Sequence, residues 1–367
     1  MAKIFYSLSG EGRGHASRAR CIIDDLHSLH DITVYAPGHA YDMLEPLYRT
    51  SRSVKVIRIP GLMFHYNERK RLDYGITALK AIDYYIRSSK LVKDLCRDID
   101  REKPELIITD FEPALPKAAE RCQLPYISIN HQHFLLTYDL SSLPPLLQQR
   151  AAVMGSAINL FYRKQVKTIV SSFYFPPLKP FLKDVFQVGV FLNKKIRSLT
   201  PGDNGSILVY LRRFSDKKLL TALNSLNRRI IIYNNEANER HGNLEFKLIS
   251  PFTFLEDLAS CSCLVSTAGN QLVGEAMYLG KPVLAMPEPD NFEQEINGRF
   301  LAQSGAGIDY SLDSVTPDIL RHFLSNLSAY SNRIDRERIC GNAAACSIIS
   351  RMIEPPQMKE DLYRSAS

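Results

Sequence analysis

The chain has 367 residues, 45% of them hydrophobic and 23% charged, with 18 glycines and 20 prolines. That composition builds buried cores, offers more chain than one core usually holds, and excludes disordered, collagenous and low-complexity architectures. The net charge of +7 falls wholly in the first half, because residues 1–192 carry 26 Lys+Arg against 19 Asp+Glu while residues 193–367 carry 20 of each.

The N-terminus, Met1 to Phe5, runs straight into a strand at Lys3 to Leu8 without a signal-peptide pattern. A glycine-rich loop, Ser9 to Gly14, then leads into a helix at about 15–29 with Ala19, Ile22, Ile23 and Leu26 on one face. Strands follow at Asp31 to Tyr35 and Val54 to Ile59. A long helix at about 75–100 carries Lys80, Arg87, Lys90, Lys93 and Arg97, with Arg101 just beyond it. With the charge asymmetry, this helix points to an anionic partner: a phosphorylated substrate, or peripheral contact with an anionic membrane. No RNP-like or zinc-finger motif accompanies the charge, so nucleic acid is disfavoured.

Leu106 to Thr109 reads as a buried strand ending in Asp110-Phe111-Glu112, and Tyr126 to Ile129 as another ending in Asn130-His131-Gln132-His133. An irregular stretch at 135–162 precedes strands at Thr168 to Ser172 and Val185 to Val188. Residues 193–204 lack apolar periodicity and read as a linker. The pattern then restarts, with strands at Ser206 to Leu211, Arg229 to Tyr233, Glu245 to Leu248, Cys263 to Ser266 and Val283 to Met286. Helices are expected at about 215–226, 253–260, 270–279 and 292–303, with two more near the end. No apolar run approaches the roughly 20 residues of a membrane-spanning helix. Seven cysteines without a Cys-x-x-Cys pair suggest neither a disulfide framework nor a zinc site, and fit a reducing compartment, the cytoplasm.

The expected class is α/β: a first domain at 1–192, the linker 193–204, a second domain at 205–350, and a tail at 351–367 packing back on the first domain. Two loops carry candidate chemistry. Gly10-x-Gly12-x-Gly14-His15 lets backbone approach a ligand and places a histidine at the cleft mouth as a candidate general base. It is not a dinucleotide fingerprint, since the third glycine comes one residue early and no acidic residue ends the second strand. The second loop, Ser266-Thr267-Ala268-Gly269-Asn270-Gln271, opens a helix holding Glu275, and Glu293-Gln294 opens the next helix beside it. Helix N-termini favour phosphate, and a carboxylate beside an amide suits sugar hydroxyls.

These residues resemble the GT-B nucleotide-sugar glycosyltransferases, specifically the lipid II-forming N-acetylglucosaminyltransferase and UDP-glycosyltransferase families. The resemblance is carried by Gly269, Glu275-Ala276, Gly280-Lys281-Pro282, Pro287, Glu293-Gln294-Glu295-Ile296-Asn297 and Gly305-Ala306-Gly307, and by Gly10 to His15. It implies two Rossmann-like domains facing each other across a cleft, the second binding a nucleotide-diphosphate sugar, a UDP-sugar by preference. Under it Glu275 binds the ribose, Gly269 and Asn270 the diphosphate, and Gln294 and Glu293 the transferred sugar, while Pro251-Phe252-Thr253 holds the base. Ser266 stands where many relatives carry histidine, with Arg212 and Arg213 as replacements for that charge; Gly12, Gly14 and Gln271 line the same donor site. His15 becomes the base of an inverting, metal-independent transfer that needs no cofactor, with Asp110 or Glu112 as its carboxylate. The alternatives are a UDP-sugar 2-epimerase, which the segment Pro287-Glu288-Pro289-Asp290 argues against, and a non-catalytic nucleotide-sugar-binding protein.

Overall fold

The computed structural model describes residues 1–10, 14–61, 74–162, 164–211, 217–234 and 238–353. Two seven-stranded sheets organise the chain. The first is β1 (Lys3–Leu8), β2 (Asp31–Ala36), β3 (Val54–Arg58), β4 (Leu106–Asp110), β5 (Tyr126–Asn130), β6 (Lys167–Ser171) and β7 (Val185–Val188), all parallel in the order β3-β2-β1-β4-β5-β6-β7. Apolar runs such as Leu106-Ile107-Ile108 form its centre because both faces are covered by helices, so alternation is unnecessary. The strand order reverses between β1 and β4, which opens a crevice at their C-terminal ends.

The second sheet is β8 (Ile207–Tyr210), β9 (Ile230–Asn234), β10 (Glu239–His241), β11 (Leu244–Leu248), β12 (Cys263–Ser266), β13 (Val283–Ala285) and β14 (Gly307–Asp309), in the order β10-β11-β9-β8-β12-β13-β14. Only β10 is antiparallel, in a hairpin with β11. The fold class is therefore as the sequence predicts.

Two boundaries differ from expectation. Residues 193–204 include a short helix, Lys194–Ser198, whose first turn is capped by the Asn193 side chain accepting from Ile196 N. The last helix, Asn342–Ile353, lies within the expected second domain but packs on the first sheet: Ala345, Ile348 and Ile349 share a buried cluster with Ile4, Tyr6, Ile22 and Val34. Residues 354–367 of the expected tail lie outside the described residues. The returning chain crosses the end of β7 at Gly341, whose N–H donates to Val190 O at 2.9 Å; a Cβ at Gly189 or Gly341 would collide with the opposing backbone.

The two units pack through a shared apolar cluster. Tyr174 of the first unit stacks on Phe300 of the second with centroids 4.4 Å apart, and Gly274 lies so close to Val190 that a Cβ would collide with it. No described helix is long and apolar enough to cross a membrane. The basic helix spans Tyr74–Glu102, and part of its charge is paired along its own surface, Arg97 with Asp94 and Arg101 with Asp98 and Glu102.

Candidate active site

The strand register brings the candidate base and its partner together. Leu8, the last residue of β1, pairs with Asp110, the last residue of β4. The chain leaving β1 enters the helix Gly14–Leu26, so His15 in its first turn stands above Asp110. Nδ1 of His15 lies 2.8 Å from Oδ1 of Asp110, a carboxylate with no exposed surface. Arg18, one turn along the same helix, donates from Nε to Oδ2 at 2.8 Å and from Nη2 to Oδ1 at 2.7 Å. Burial raises the Asp110 carboxyl, but the Arg18 guanidinium and His15 outweigh it and hold the group below its ordinary value.

Glu112 has a different task. Its carboxylate accepts from the N–H groups of Ala114 at 2.7 Å and Leu115 at 2.9 Å, which caps the helix Ala114–Arg121, and from the Tyr84 hydroxyl at 3.1 Å. Between the two acids, Phe111 takes a φ of 59°, costly for a residue with a Cβ, and stacks parallel to the His15 ring with centroids 6.0 Å apart. The geometry therefore pairs His15 with Asp110 and leaves Glu112 as a cap.

In the second unit β12 ends at the buried Ser266, and Gly269 precedes the helix Asn270–Tyr278 without a side-chain cap. Backbone N–H groups of that first turn are left for another acceptor. The amides that follow reach into the first unit. Asn270 donates to Ser171 O at 3.1 Å and accepts from Phe173 N at 3.3 Å, and Gln271 donates to Phe191 O at 2.8 Å. Gln271 also donates to Glu275 at 2.9 Å, and burial still raises that carboxyl to about 7. The side chains expected to meet a donor thus hold the two units together in this form.

The next helix, Phe292–Ser304, is capped by Asn291 accepting from Gln294 N at 3.2 Å. The Gln294 side chain turns back on its own loop, accepting from Glu288 N at 2.7 Å. Glu293 lies near the first unit: burial raises its carboxyl, opposed by the nearby charges of His15 and Arg18 and by a hydrogen bond with Gln132. Gly14 begins the first helix. Gly12, Arg212 and Arg213 lie outside the described residues, as does the side chain of Phe252, whose backbone opens the helix Pro251–Ser260.

Sequence reasoning missed Arg18, although a residue three positions after His15 on a helix shares its face. It also missed Tyr174, and gave Asn297 no role beyond its place in the Glu293-to-Asn297 motif. Asn297 donates to Ala268 O at 3.0 Å and accepts from the Tyr174 hydroxyl at 2.9 Å, with Nε2 of His131 at 3.2 Å. His131 belongs to this inter-unit network rather than an open acceptor surface, and burial beside Arg18 lowers its imidazole to about 3. His133 is fully buried against Asn130 and Ser128. A groove of about 520 Å³ lies at the opposite, N-terminal ends of β1–β3 and contains none of these residues. Among the described residues no group of three His, Cys, Asp or Glu side chains gathers as a metal site.

The model of the family described as Glycosyl transferase family 1 matches residues 2–328. The chain belongs to that family. This family 1 glycosyl transferase is 22% identical over 388 residues to an uncharacterized glycosyltransferase of Methanosarcina acetivorans, covering 96% of this chain and 98% of the relative. Its fold is that of Arabidopsis thaliana UGT89C1 in complex with UDP-L-rhamnose, at a TM-score of 0.73 and 16% identity, over 96% of this chain and all of the other. MurG of Acinetobacter baumannii is similar at a TM-score of 0.62 and 14% identity, with the same coverage. The glycosyl transferase thus has the GT-B architecture, and its strand-end residues His15 and Asp110 occupy the crevice between β1 and β4.

Proposed function

We propose that the protein transfers a glycosyl group from a nucleotide-diphosphate sugar, a UDP-sugar by preference, to an acceptor hydroxyl with inversion. The observation that carries this reading is His15 at the mouth of the crevice, with Nδ1 on the buried Asp110 and Glu293 of the other unit facing it. A proton on Nδ1 leaves Nε2 as the proton acceptor, and an alcohol needs such a base at neutral pH. The acceptor oxygen attacks the anomeric carbon, its proton passes to His15, and the bond to the diphosphate breaks. The uncapped turn after Gly269 suits the charge of the departing diphosphate. Glu293 serves a sugar hydroxyl beside the base. Glu275 and Gln271 serve the donor once the units part, because here they are engaged with each other and with Phe191. Neither a metal ion nor a cofactor has a part in this scheme, and the acceptor is a phosphate-bearing or lipid-linked alcohol received by the basic first unit, at the inner face of the membrane.

The test is single-turnover transfer from UDP-sugars beside UDP affinity in the same variant. His15→Gln is expected to lose turnover by about 10²–10⁴-fold and keep its affinity for UDP. Turnover within threefold of wild type would remove His15 from the role of base.

A further inference from the structure

Arg18 has no part in the scheme above, yet it is 4% exposed and its guanidinium is the third member of the His15–Asp110 cluster. The Nη2 that donates to Asp110 also lies 2.8 Å from Nδ1 of His15. An imidazole Nδ1 holds either a proton or a lone pair. With a proton it donates to Asp110, and Nε2 keeps a lone pair. With a lone pair it accepts from Arg18, and Nε2 carries the proton. Only the first arrangement leaves a base. A charge-assisted bond to a carboxylate favours it, and Arg18 already has a carboxylate partner for both Nε and Nη2.

Asp110 alone brings a second difficulty. A buried carboxylate against the ring attracts another proton onto Nε2, and an imidazolium is no base. Glu293, facing from the helix Phe292–Ser304, pulls the same way. The other described groups around the cluster are Tyr6 on β1, His131 and His133 after β5, both held neutral by burial, Tyr162 and the apolar Phe111 ring. Among the described residues Arg18 is therefore the cation that balances these two acids.

We propose that Arg18 is a positioning residue for the transfer step. It clamps both oxygens of Asp110 so that the carboxylate keeps the His15 proton on Nδ1, and its charge keeps Nε2 free to receive the acceptor's proton. This rests on His15 being the base.

Side-chain 15N–1H correlation spectra of the whole protein, with the His15 signal assigned by its loss in His15→Gln, test the first clause. At pH 7.5 the wild type is expected as the Nδ1–H tautomer; the Nε2–H tautomer overturns the proposal. The second clause is read from Arg18→Met and Arg18→Lys by the same spectra and by the acidic limb of kcat/KM. Removing the cation is expected to move the acidic limb to higher pH. Lysine restores the charge without the two-pronged clamp, so it should hold the limb near its wild-type position while the plateau falls. A merely structural Arg18 lowers the plateau in both variants and leaves the limb in place, which refutes the proposal. If Arg18→Met does not fold, the uncharged but hydrogen-bonding Arg18→Gln takes its place, with the same upward move of the limb expected and an unmoved limb refuting the proposal. Turnover that survives His15→Gln removes the base assignment and this proposal together. An unmoved limb in Arg18→Met, with turnover still dependent on His15, removes this proposal alone.

Discussion

Replacing Asp110 by asparagine perturbs stability as well as rate, and the size of the effect follows from the contacts. The carboxylate is wholly buried and takes two bonds from Arg18 and one from His15, at 2.7–2.8 Å. Asparagine keeps the volume but turns an NH2 toward donors and leaves the guanidinium of Arg18 buried without its counter-charge. Breaking one side of such a pair costs about 3–5 kcal/mol. For a unit of this size each kcal/mol moves the melting temperature by about 2–4 °C, so a fall of roughly 6–20 °C is expected. Because the Asp110 carboxyl is held below its ordinary value in the fold, its contribution is present above the unfolded carboxylate pKa and is lost as pH falls through the lower folded value. The gap between variant and wild type should therefore hold from pH 5 to 8 and narrow only below the ordinary value of 3.8. Calorimetric scans across that range, at fixed scan rate, measure it. Adding Arg18→Met to Asp110→Asn should cost less than the two losses summed, since no unpaired ion remains. A drop of under 2 °C at pH 7 would refute the argument that this carboxylate carries a buried ion pair.

Other consequences are open to direct measurement. Glu275 has the opposite sign from Asp110: its carboxyl is raised to about 7, so folding binds a proton and stability falls as pH rises from the ordinary 4.5 to 7. Glu275→Gln is expected to be of order 1–3 kcal/mol more stable than wild type at pH 8 and level with it below pH 4.5, by urea midpoints. In UDP calorimetry at pH 8 the same variant should bind more weakly by about 1.5–3 kcal/mol; unchanged affinity would take Glu275 out of the donor site. Gly274→Ala forces a methyl into Val190 and should cost about 1–3 kcal/mol, with much of the loss recovered in Gly274→Ala/Val190→Ala. Sedimentation with anionic vesicles should retain the protein at low salt and release it at high salt; equal, negligible binding to neutral and anionic vesicles would restrict the acceptor to water-soluble alcohols.

The strands were legible because fully covered parallel strands are unbroken apolar runs, such as Ile230-Ile231-Ile232. β10 was illegible because all three of its residues are exposed, so no apolar signal marks it. The helix Gly38–Tyr48 escaped because Pro46 lies inside it and reads as a breaker. In the site, strand-end position alone nominated Asp110 and Glu112 equally. Only the angle at which the chain leaves β4, through the positive φ of Phe111, points one acid at His15 and the other at a helix terminus. Arg18 looked like any solvated helix arginine, since its buried partner is 92 residues away in sequence. Amides were the least legible of all. Gln271 and Gln294 sit where a donor contact is expected, and in this form both side chains bond to protein instead.

The helix Asn342–Ile353 makes the first unit discontinuous in sequence, and this has a consequence for synthesis. Residues 1–192 leave the ribosome early but lack Ala345, Ile348 and Ile349, which close one face of their core. The nascent first sheet must therefore wait, with Ile22 and Val188 incompletely covered, while some 150 further residues are translated. The second unit has all of its strands by Asp309, and its own core is closed by Leu320 and Phe323, with Ile339 adding to the shared cluster. The clamp around His15 therefore sits in a unit whose core is sealed only once the last helix has been made. A chain stopped before Asn342 would present a complete second sheet beside an unsealed first one, a ready target for chaperones and proteases.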